Sequence, residues 1–270
     1  MEKINLTDIF CYPVKSTTGF SLAEIAVKNH GLPFDRNFGV VDHTGKMITA
    51  RENPRLLNIV TQVQNNILEL SALGESPIQL NLKKLPPLSP CTVGIFSDFT
   101  RAIILEHEVN KWISNVLQEP AKLVKTDSKN PRKINPKYNT NEEEVISFCD
   151  AAPIHLVSKA SLADLNTHLD EPVSVSRFRP NLVIEGANPW SEDQWRQVEI
   201  GGCTFDVVAK TIRCNFLTIH PKTTKRNENQ EPLRTLSKIK KSENKVTFGI
   251  YLVPRKLGVI KKGDKVTKRL

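Results

Sequence analysis

Long hydrophobic runs are missing from this 270-residue chain. No apolar stretch approaches the roughly 18 residues that a membrane-spanning helix requires. The first ten residues, MEKINLTDIF, also lack the apolar core of a secretory signal peptide. We therefore expect a protein that has no membrane span and stays in the cytoplasm.

Cysteine is scarce and irregularly spaced. The five cysteines lie at positions 11, 91, 149, 203 and 214, and no CxxC pair occurs. This spacing excludes a small disulfide framework and the usual zinc and iron–sulfur motifs, so no built-in iron–sulfur cluster is expected. In a chain without an export signal we expect reduced thiols, most of them buried like small hydrophobic side chains.

Aromatic side chains are also few, at 6% of the residues, while the formal net charge is +9. Residues 209–270 hold 17 Lys/Arg against 4 Asp/Glu, whereas residues 1–208 hold 21 against 25. Such a charge run indicates either an anionic partner or only a solvated basic surface. With few rings for base stacking and no RRM, KH or helix-turn-helix signature, a nucleic-acid-binding module is disfavoured.

Short β-branched runs separated by turn residues dominate the first 99 residues, which predicts strands at close spacing. The predicted strands are INLTDIF, FSLAEIAV, NFGVVD, MITA, LLNIVTQV, ILELSAL and IQLNL. Asp42–Gly45 predicts a hairpin turn between two of them. Apolar residues at helical spacing then predict a helix over His107–Leu117, with Pro120 as its stop.

The second half begins with a polar segment, 126–144, that predicts an exposed loop or a domain linker. Ser158 is a predicted N-cap for a short helix that reaches Asn166. Strands are predicted over Ile154–Val157, Leu182–Ile184, Val198–Ile200, Thr204–Val208, Phe216–Thr218, Val246–Leu252 and Lys265–Val266. The sequence thus predicts a mainly β protein with some α, in which residues 1–120 form one domain and residues 121–270 a second that includes the linker.

Cys214 is the cysteine with the clearest chemical potential, because Arg213 precedes it. A neighbouring cation favours the thiolate, which is the form that attacks electrophiles and ligates metals. An isolated Arg-Cys pair more often marks a structural thiol, so this observation leaves both interpretations open. The other four cysteines lie in or beside apolar runs and fit buried structural roles.

Tyr12-Pro13-Val14-Lys15-Ser16 leads from a predicted strand into a turn that carries a lysine and hydroxyl groups. Such a turn suits a phosphate, but its spacing is not that of a P-loop, so a nucleoside triphosphate is not indicated. Three further segments place an arginine beside apolar residues, namely Phe34–Phe38, Thr49–Arg51 and Phe178–Asn181. Their spacing fits anchors for an anionic ligand and ion pairs at a domain junction equally well.

Several motifs follow one another along nearly the whole chain. They are Tyr12–Ser16, Asp35–Arg36, Thr49–Leu56, Ser161–Asn166, Phe178–Asn181, and Arg213–Cys214 with Thr218 and Pro221. In this order they resemble proteins of the molybdenum cofactor sulfurase C-terminal (MOSC) class, in particular its amidoxime-reducing and YcbX-like members. A set of motifs in one order is far more specific than any one of them.

The resemblance implies an N-terminal MOSC β-barrel domain packed on a C-terminal MOSC β-barrel domain, with a pterin-based molybdenum cofactor (molybdopterin) between them. It implies that Cys214 ligates the metal, which agrees with the affinity of thiolates for soft metals. The residues that it implies for holding the pterin and its phosphate are Lys15, Ser16, Arg36, Arg179, Asn181 and Arg213, with Tyr251 as a further contact. Pyridoxal phosphate binding is a family-level association as well.

Asp150 falls where the family has an acidic residue beside the metal, so the resemblance implies a proton relay to a substrate oxygen. A turn or cap aspartate before a strand is the alternative interpretation. The chain departs from the family directly after this residue, because Ala151 and Ala152 stand where hydroxyl residues are common.

The activity that the resemblance implies is the molybdenum-cofactor-dependent reduction of small N-hydroxylated or N-oxygenated compounds. A carrier of the cofactor or of sulfur, without turnover of its own, is the alternative. No cysteine cluster follows Cys214, so we expect electrons from a separate flavin-, ferredoxin- or cytochrome-type protein. The basic last quarter is the expected docking surface, and Lys→Glu changes at Lys238, Lys240 and Lys241 should weaken that coupling.

Overall fold

A computed structural model describes residues 3–85, 89–96, 98–105, 107–138, 144–242 and 245–270. In chain order, strands β1 to β11 span Ile4–Cys11, Phe20–Leu22, Glu24–Val27, Phe38–Val41, Met47–Ile48, Val60–Gln64, Ile67–Ala72, Glu75–Asn81, Ser89–Ile95, Asp98–Ile104 and Lys122–Thr126. Strands β12 to β21 span Arg132–Lys133, Val145–Ile146, Ile154–Ser158, Leu182–Glu185, Gln197–Ile200, Cys203–Ile212, Lys241–Ser242, Lys245–Lys256, Gly258–Lys261 and Lys265–Arg269.

Three α-helices lie within the described ranges: α1 His107–Leu117, α2 Lys159–Thr167 and α3 Leu233–Ile239. Short 3-10 helices lie at Pro54–Asn58, Pro136–Tyr138, Val175–Phe178, Ser191–Gln194 and Asn215–Thr218. None of the helices in these ranges is long and apolar enough to cross a membrane. The prediction of a mainly β protein with some α is confirmed.

A closed barrel forms the larger β unit. Its strands neighbour one another in the order β14, β15, β1, β21, β16, β17 and β19, and β19 pairs back with β14. Aliphatic side chains fill its interior, among them Leu6, Leu156 and Leu252. Strand β1 lies between β15 and β21, so the N-terminal strand completes a barrel whose other strands all follow residue 153.

The smaller unit is a half-barrel with strand order β5, β4, β11, β10 and β9, next to a separate sheet of β6, β7 and β8. The apolar stripe of α1, which includes Val109, Trp112 and Ile113, packs into the core of this unit. Its expected hairpin at Asp42–Gly45 is present, since β4 pairs antiparallel with β5 and the Asp42 carboxylate accepts from Thr44 N–H at 2.8 Å. The predicted pair of β domains is confirmed.

The two helices that the sequence predicts from neighbouring residues are confirmed. The predicted helix over His107–Leu117 matches α1 residue for residue. The predicted cap of α2 is present as well, because the Ser158 hydroxyl accepts from Ala160 N–H at 3.2 Å.

Two predicted strand segments are wrong. Phe216–Thr218 lies in a 3-10 helix, held by Leu217 N–H to the Cys214 carbonyl at 3.1 Å. The start of LLNIVTQV is the end of another 3-10 helix, which Pro54 and the Asn53 side chain begin. In both segments the apolar residues lie on a tight helical turn and pack into a core. A short apolar run of this kind has the same sequence pattern as a short buried strand.

The predicted linker, 126–144, is partly built into the fold. It contains β12, which pairs with β13, and the buried Ile134; residues 139–143 lie outside the described ranges. The division of the chain at residue 120 stays a prediction.

Candidate functional site

One cleft between the barrel and the half-barrel brings together the nine residues that the sequence analysis selected. They are Lys15, Ser16, Arg36, Asp150, Arg179, Asn181, Arg213, Cys214 and Tyr251, and all of them line it. Turns beside the half-barrel contribute the first three, loops that adjoin barrel strands contribute the next five, and Tyr251 lies within β19. The structure therefore places these residues together, while their individual roles remain predictions.

Three of the cleft residues have left-handed backbone conformations, which non-glycine residues rarely adopt. The φ angles are 69° at Ser16, 48° at Arg36 and 53° at Arg179. Hydrogen bonds hold two of these turns, with Arg36 N–H on the Tyr12 carbonyl at 2.8 Å and Arg179 N–H on the Ser176 carbonyl at 3.2 Å. Such strain clusters at functional sites, because the surrounding structure must enforce it.

The guanidinium of Arg36 has three protein acceptors. It donates to the Asp35 carboxylate at 2.5 Å, to the Asn181 amide oxygen at 3.1 Å and to the Arg179 carbonyl at 3.1 Å. Burial alone would lower the pKa of Arg36, but the Asp35 carboxylate raises it above its ordinary value. Arg36 is thus a fixed cation in the wall of the cleft.

Arg179 and Arg213 are half-buried cations, each with one buried nitrogen that lacks a protein partner among the described residues. Arg179 donates to the Thr17 carbonyl and Arg213 to the Phe178 carbonyl. Arg179 Nη2 and Arg213 Nε have no partner among the described residues. Burial, and for Arg179 the nearby Arg36 charge, lower the pKa of both side chains, that of Arg179 to about 10. A buried donor without an acceptor is costly, so this wall fits an anionic ligand with several acceptor atoms.

Two thiols lie in the cleft, and they differ in exposure. Cys214 is exposed, directly after β17, whereas Cys149 is buried. The Cys149 sulfur lies 3.2 Å from the Ser147 hydroxyl, and burial together with the Asp35 charge raises its pKa. Cys214 is therefore the thiol that is accessible to a ligand, and Cys149 is a neutral structural thiol.

Of the other three cysteines that the sequence predicts to be buried, two are buried and one is not. Cys11 and Cys203 are buried, but Cys91 is only half-buried, because it lies on β9 of the open half-barrel sheet. In the described parts of the chain, no cluster of three or more His, Cys, Asp or Glu side chains has a geometry that could hold a metal ion.

Asp150 forms an ion pair with Lys15, whose ammonium also donates to the Phe148 carbonyl at 2.8 Å. Desolvation raises the pKa of Asp150, but the charge and hydrogen bond of Lys15 and the charge of Arg51 outweigh it and lower that pKa to about 2. The Asp150 side chain is 57% exposed. It is therefore an ionised carboxylate at neutral pH that solvent and a ligand can reach as a hydrogen-bond acceptor.

Tyr251 and His155 form a polar patch on the barrel wall, with ring centroids 5.9 Å apart. Burial raises the pKa of the Tyr251 phenol and lowers that of the His155 imidazole, which the Arg213 charge lowers further. Both groups are thus neutral at pH 7. A side chain at Gly249 would meet the His155 ring, since a Cβ there would lie 2.6 Å from Nε2.

The sequence analysis did not select His155 or Cys149, although both line the cleft. A signal for His155 was present, because it is a polar residue inside the apolar run of β14. Arg51, which also lines the cleft, was named only as part of a motif. Ala151 and Ala152 are buried and offer no hydroxyl to it.

Two family models match the chain. The MOSC N-terminal beta barrel domain matches residues 3–120, and the MOSC domain matches residues 143–267.

Curated relatives match over nearly the whole chain. Mitochondrial amidoxime reducing component 2 of Rattus norvegicus is 32% identical, over 97% of this chain and 82% of its own. Mitochondrial amidoxime-reducing component 1 of Homo sapiens is 31% identical over the same shares. Molybdenum cofactor sulfurase of Oryza sativa subsp. japonica is 31% identical over 93% of this chain, which spans 33% of that longer protein.

Proposed function

Because the chain belongs to the MOSC family, we propose that its cleft holds a molybdenum cofactor and that the loaded protein reduces N-hydroxylated compounds. One observation carries the proposal: an exposed thiol, Cys214, shares a cleft with two guanidinium groups, each of which keeps one buried nitrogen without a partner among the described residues. A phosphate-bearing pterin offers acceptors for those nitrogens, and a thiolate suits molybdenum.

The donor set of the cleft fits such a group. Arg179 and Arg213 each present a free buried N–H, and the strained turn at Ser16 places a hydroxyl beside Lys15 in the same cleft. Cys214 would hold the metal. When bound, the cofactor supplies the two-electron redox chemistry of the reaction.

The protons that the reduction consumes must be supplied through the chain's own residues. Reduction of an N–OH group to N–H consumes two electrons and two protons and releases one water molecule. Asp150 is ionised and exposed, so it can accept hydrogen bonds from the substrate hydroxyl and from solvent and align a path for the protons, and Lys15 holds it at the cleft. We assign Asp150 this relay and Lys15 the positioning of its carboxylate.

Electrons would come from a separate redox protein with an acidic surface. A groove beside the cleft shares Ile212 and Arg213 with it and is also lined by Arg234 and Lys245. The Ile212 side chain is 42% exposed and lies two residues before Cys214 in the chain. A basic rim around an exposed apolar residue close to Cys214 suits a weak electron-transfer contact.

The expected docking lysines do not act alike. Lys238 is exposed, but Lys240 pairs with the buried Asp193 carboxylate and lies 4.8 Å from the Trp190 ring centroid. Lys240 therefore also stabilises the fold, so a charge reversal there would change stability as well as docking. The side chain of Lys241 lies outside the described part of the chain.

Turnover of the loaded protein tests the proposal. Protein purified from a host that makes the cofactor should reduce hydroxylamine with a chemically reduced viologen as donor, and Cys214→Ala should abolish turnover. Cys149→Ala is the matched control, since its thiol lies in the same cleft but is buried. Protein that contains molybdenum but does not turn over would instead support the cofactor- or sulfur-carrier alternative, which the sulfurase relatives favour. Pyridoxal phosphate binding and a cytoplasmic location stay predictions.

A further inference from the structure

A second pocket opens directly beside the cleft. The two share Lys15, Thr49 and Arg51. The turn between β4 and β5 and the hairpin of β9 and β10 form its remaining wall, where Phe96 and Phe99 are the aromatic residues. We call this pocket the vestibule, and no motif in the sequence analysis includes its two phenylalanines.

Both phenylalanines of the vestibule are exposed. Phe96 is 58% exposed and Phe99 79%. Phe99 lies opposite Gly94 across the hairpin, and its ring would make only ordinary contact, at 3.5 Å, with a Cβ at that position. Phe96 has a φ of 55°, a conformation that is rare for a bulky aromatic residue. The hairpin thus holds two uncovered rings at the mouth of the cleft, one of them on a strained backbone.

The same wall carries two cations. The Arg51 guanidinium carbon lies 4.8 Å and the Lys15 ammonium 5.7 Å from the Phe96 ring centroid. Arg51 is oriented further by a hydrogen bond from its Nε to the Thr49 hydroxyl at 3.1 Å. Lys15 is also the partner of Asp150, so the rings, the cations and the relay carboxylate form one continuous surface.

We propose that the vestibule is a subsite for an uncharged aryl group, and that Phe96 and Phe99 make this protein selective for aryl N-hydroxylated substrates. Exposed rings at a pocket are favourable contacts for a planar apolar group, through offset or edge-to-face packing. Arg51 and Lys15 disfavour a cationic group at the same place. This inference rests on the proposed function, because the N–OH end of such a substrate would lie toward Asp150.

A matched pair of substrates isolates the subsite, since N-phenylhydroxylamine and hydroxylamine differ by one phenyl ring. The measurement is the ratio of kcat/KM for the phenyl compound to kcat/KM for hydroxylamine, with a viologen donor. Phe99→Ala should lower this ratio about tenfold and Phe96→Ala by a similar factor, mainly through KM of the phenyl compound, as expected when uniform binding is removed. Leu73→Ala is the control, because Leu73 is fully exposed but lines neither the cleft nor the vestibule.

A binding measurement gives a second readout that needs no turnover. Saturation-transfer NMR should show contact between the wild-type protein and the ring protons of N-phenylhydroxylamine, and this signal should weaken in Phe99→Ala but not in Leu73→Ala. An unchanged ratio and an unchanged NMR signal in both phenylalanine variants would overturn the subsite and leave the proposed function standing. If the molybdenum-loaded wild type reduces neither compound, the proposed function itself fails. If the variants lose only coupling to a protein donor, the rings are a docking surface and the subsite is overturned.

Discussion

The two walls of the cleft both carry half-buried arginines, but these arginines differ in how far protein acceptors satisfy their nitrogens. On the half-barrel side, Arg36 has three protein acceptors and a raised pKa. On the barrel side, Arg179 and Arg213 each keep a buried nitrogen without a partner in the described ranges, and their pKa values are lowered. Arginine thus has two roles in the cleft. The paired Arg36 holds the wall in place, whereas Arg179 and Arg213 each keep a donor that can bind an anion.

This difference links stability to binding. A buried ion pair is balanced within the protein, so its loss is felt by the fold whether or not a ligand is present. An unpaired buried cation disfavours the ligand-free fold, and an anion that pairs with it stabilises the folded state by mass action. Removing an arginine from each wall should therefore have opposite consequences for the ligand-free protein.

The largest effect on stability should come from the half-barrel wall. Asp35→Asn leaves Arg36 buried without its counter-charge, which should lower the free energy of unfolding by about 3–5 kcal/mol. Urea denaturation measures this loss. Asp98→Asn is the control, because Asp98 is a 53% exposed partner of Arg132, and should cost less than about 1 kcal/mol.

A double change checks the cause of that loss. Asp35→Asn with Arg36→Met removes both charges, so a large part of the stability should return. If Asp35→Asn alone costs no more than its exposed control, the Arg36 pair does not hold the half-barrel wall in place.

Arg179→Met should act in the opposite direction on the ligand-free protein. It removes a half-buried cation with one unpaired buried nitrogen and loses one hydrogen bond to the Thr17 carbonyl, so on balance the free energy of unfolding should stay constant or rise by about 1 kcal/mol. The variant should also lose most of the thermal stabilisation that inorganic phosphate gives the wild type. A clear drop in ligand-free stability, with the phosphate effect intact, would place Arg179 among the purely structural arginines.

The Lys15–Asp150 pair bridges the two walls, and pH tests it. The pKa of Asp150 is lowered from 3.8 to about 2 in the folded state, so its contribution to stability is present above pH 3.8 and is lost as the pH falls through about 2. Because the carboxylate is 57% exposed, solvent screening reduces this contribution to about 1 kcal/mol or less. The difference in unfolding free energy between wild type and Asp150→Asn should shrink over that interval in acid urea titrations. A difference independent of pH would contradict the ion pair.

The smallest effects on stability should lie on the basic rim outside the barrel wall. Lys238→Glu changes an exposed charge and should alter stability by only a few tenths of a kcal/mol, while slowing electron transfer from an acidic donor protein at low salt. Lys240→Glu should instead destabilise the fold, since Asp193 loses the nearer of its two lysine partners and meets a second negative charge. Equal donor rates for wild type and Lys238→Glu at low ionic strength would remove this face from the docking surface.

Local features of the fold were predictable from the sequence, because they depend on neighbouring residues. The helix α1 follows from its apolar spacing, and the start of α2 follows from Ser158. The insertion of β1 into the closed barrel was not predictable, because it depends on pairing Asn5 with Glu185 and Lys265. The strand prediction for Phe216–Thr218 was wrong because a tight buried turn and a short buried strand have the same apolar composition.

The residues of the candidate site were also predictable only in part. Motif order and resemblance selected nine residues, and the fold places them in one cleft. His155 and Cys149 were missed because a single polar residue in an apolar run does not show which cavity it faces. Phe96 and Phe99 were missed because their position beside Lys15 depends on how two distant segments pack.

The central claim is that the barrel wall presents Cys214 to a molybdenum cofactor. The most direct measurement is the molybdenum and pterin content of protein purified from a cofactor-producing host, for wild type, Cys214→Ala and Cys149→Ala. The account predicts near-stoichiometric metal in the wild type and in Cys149→Ala, and its loss in Cys214→Ala. Metal retained in Cys214→Ala, or a wild type that carries neither molybdenum nor pterin, would contradict it.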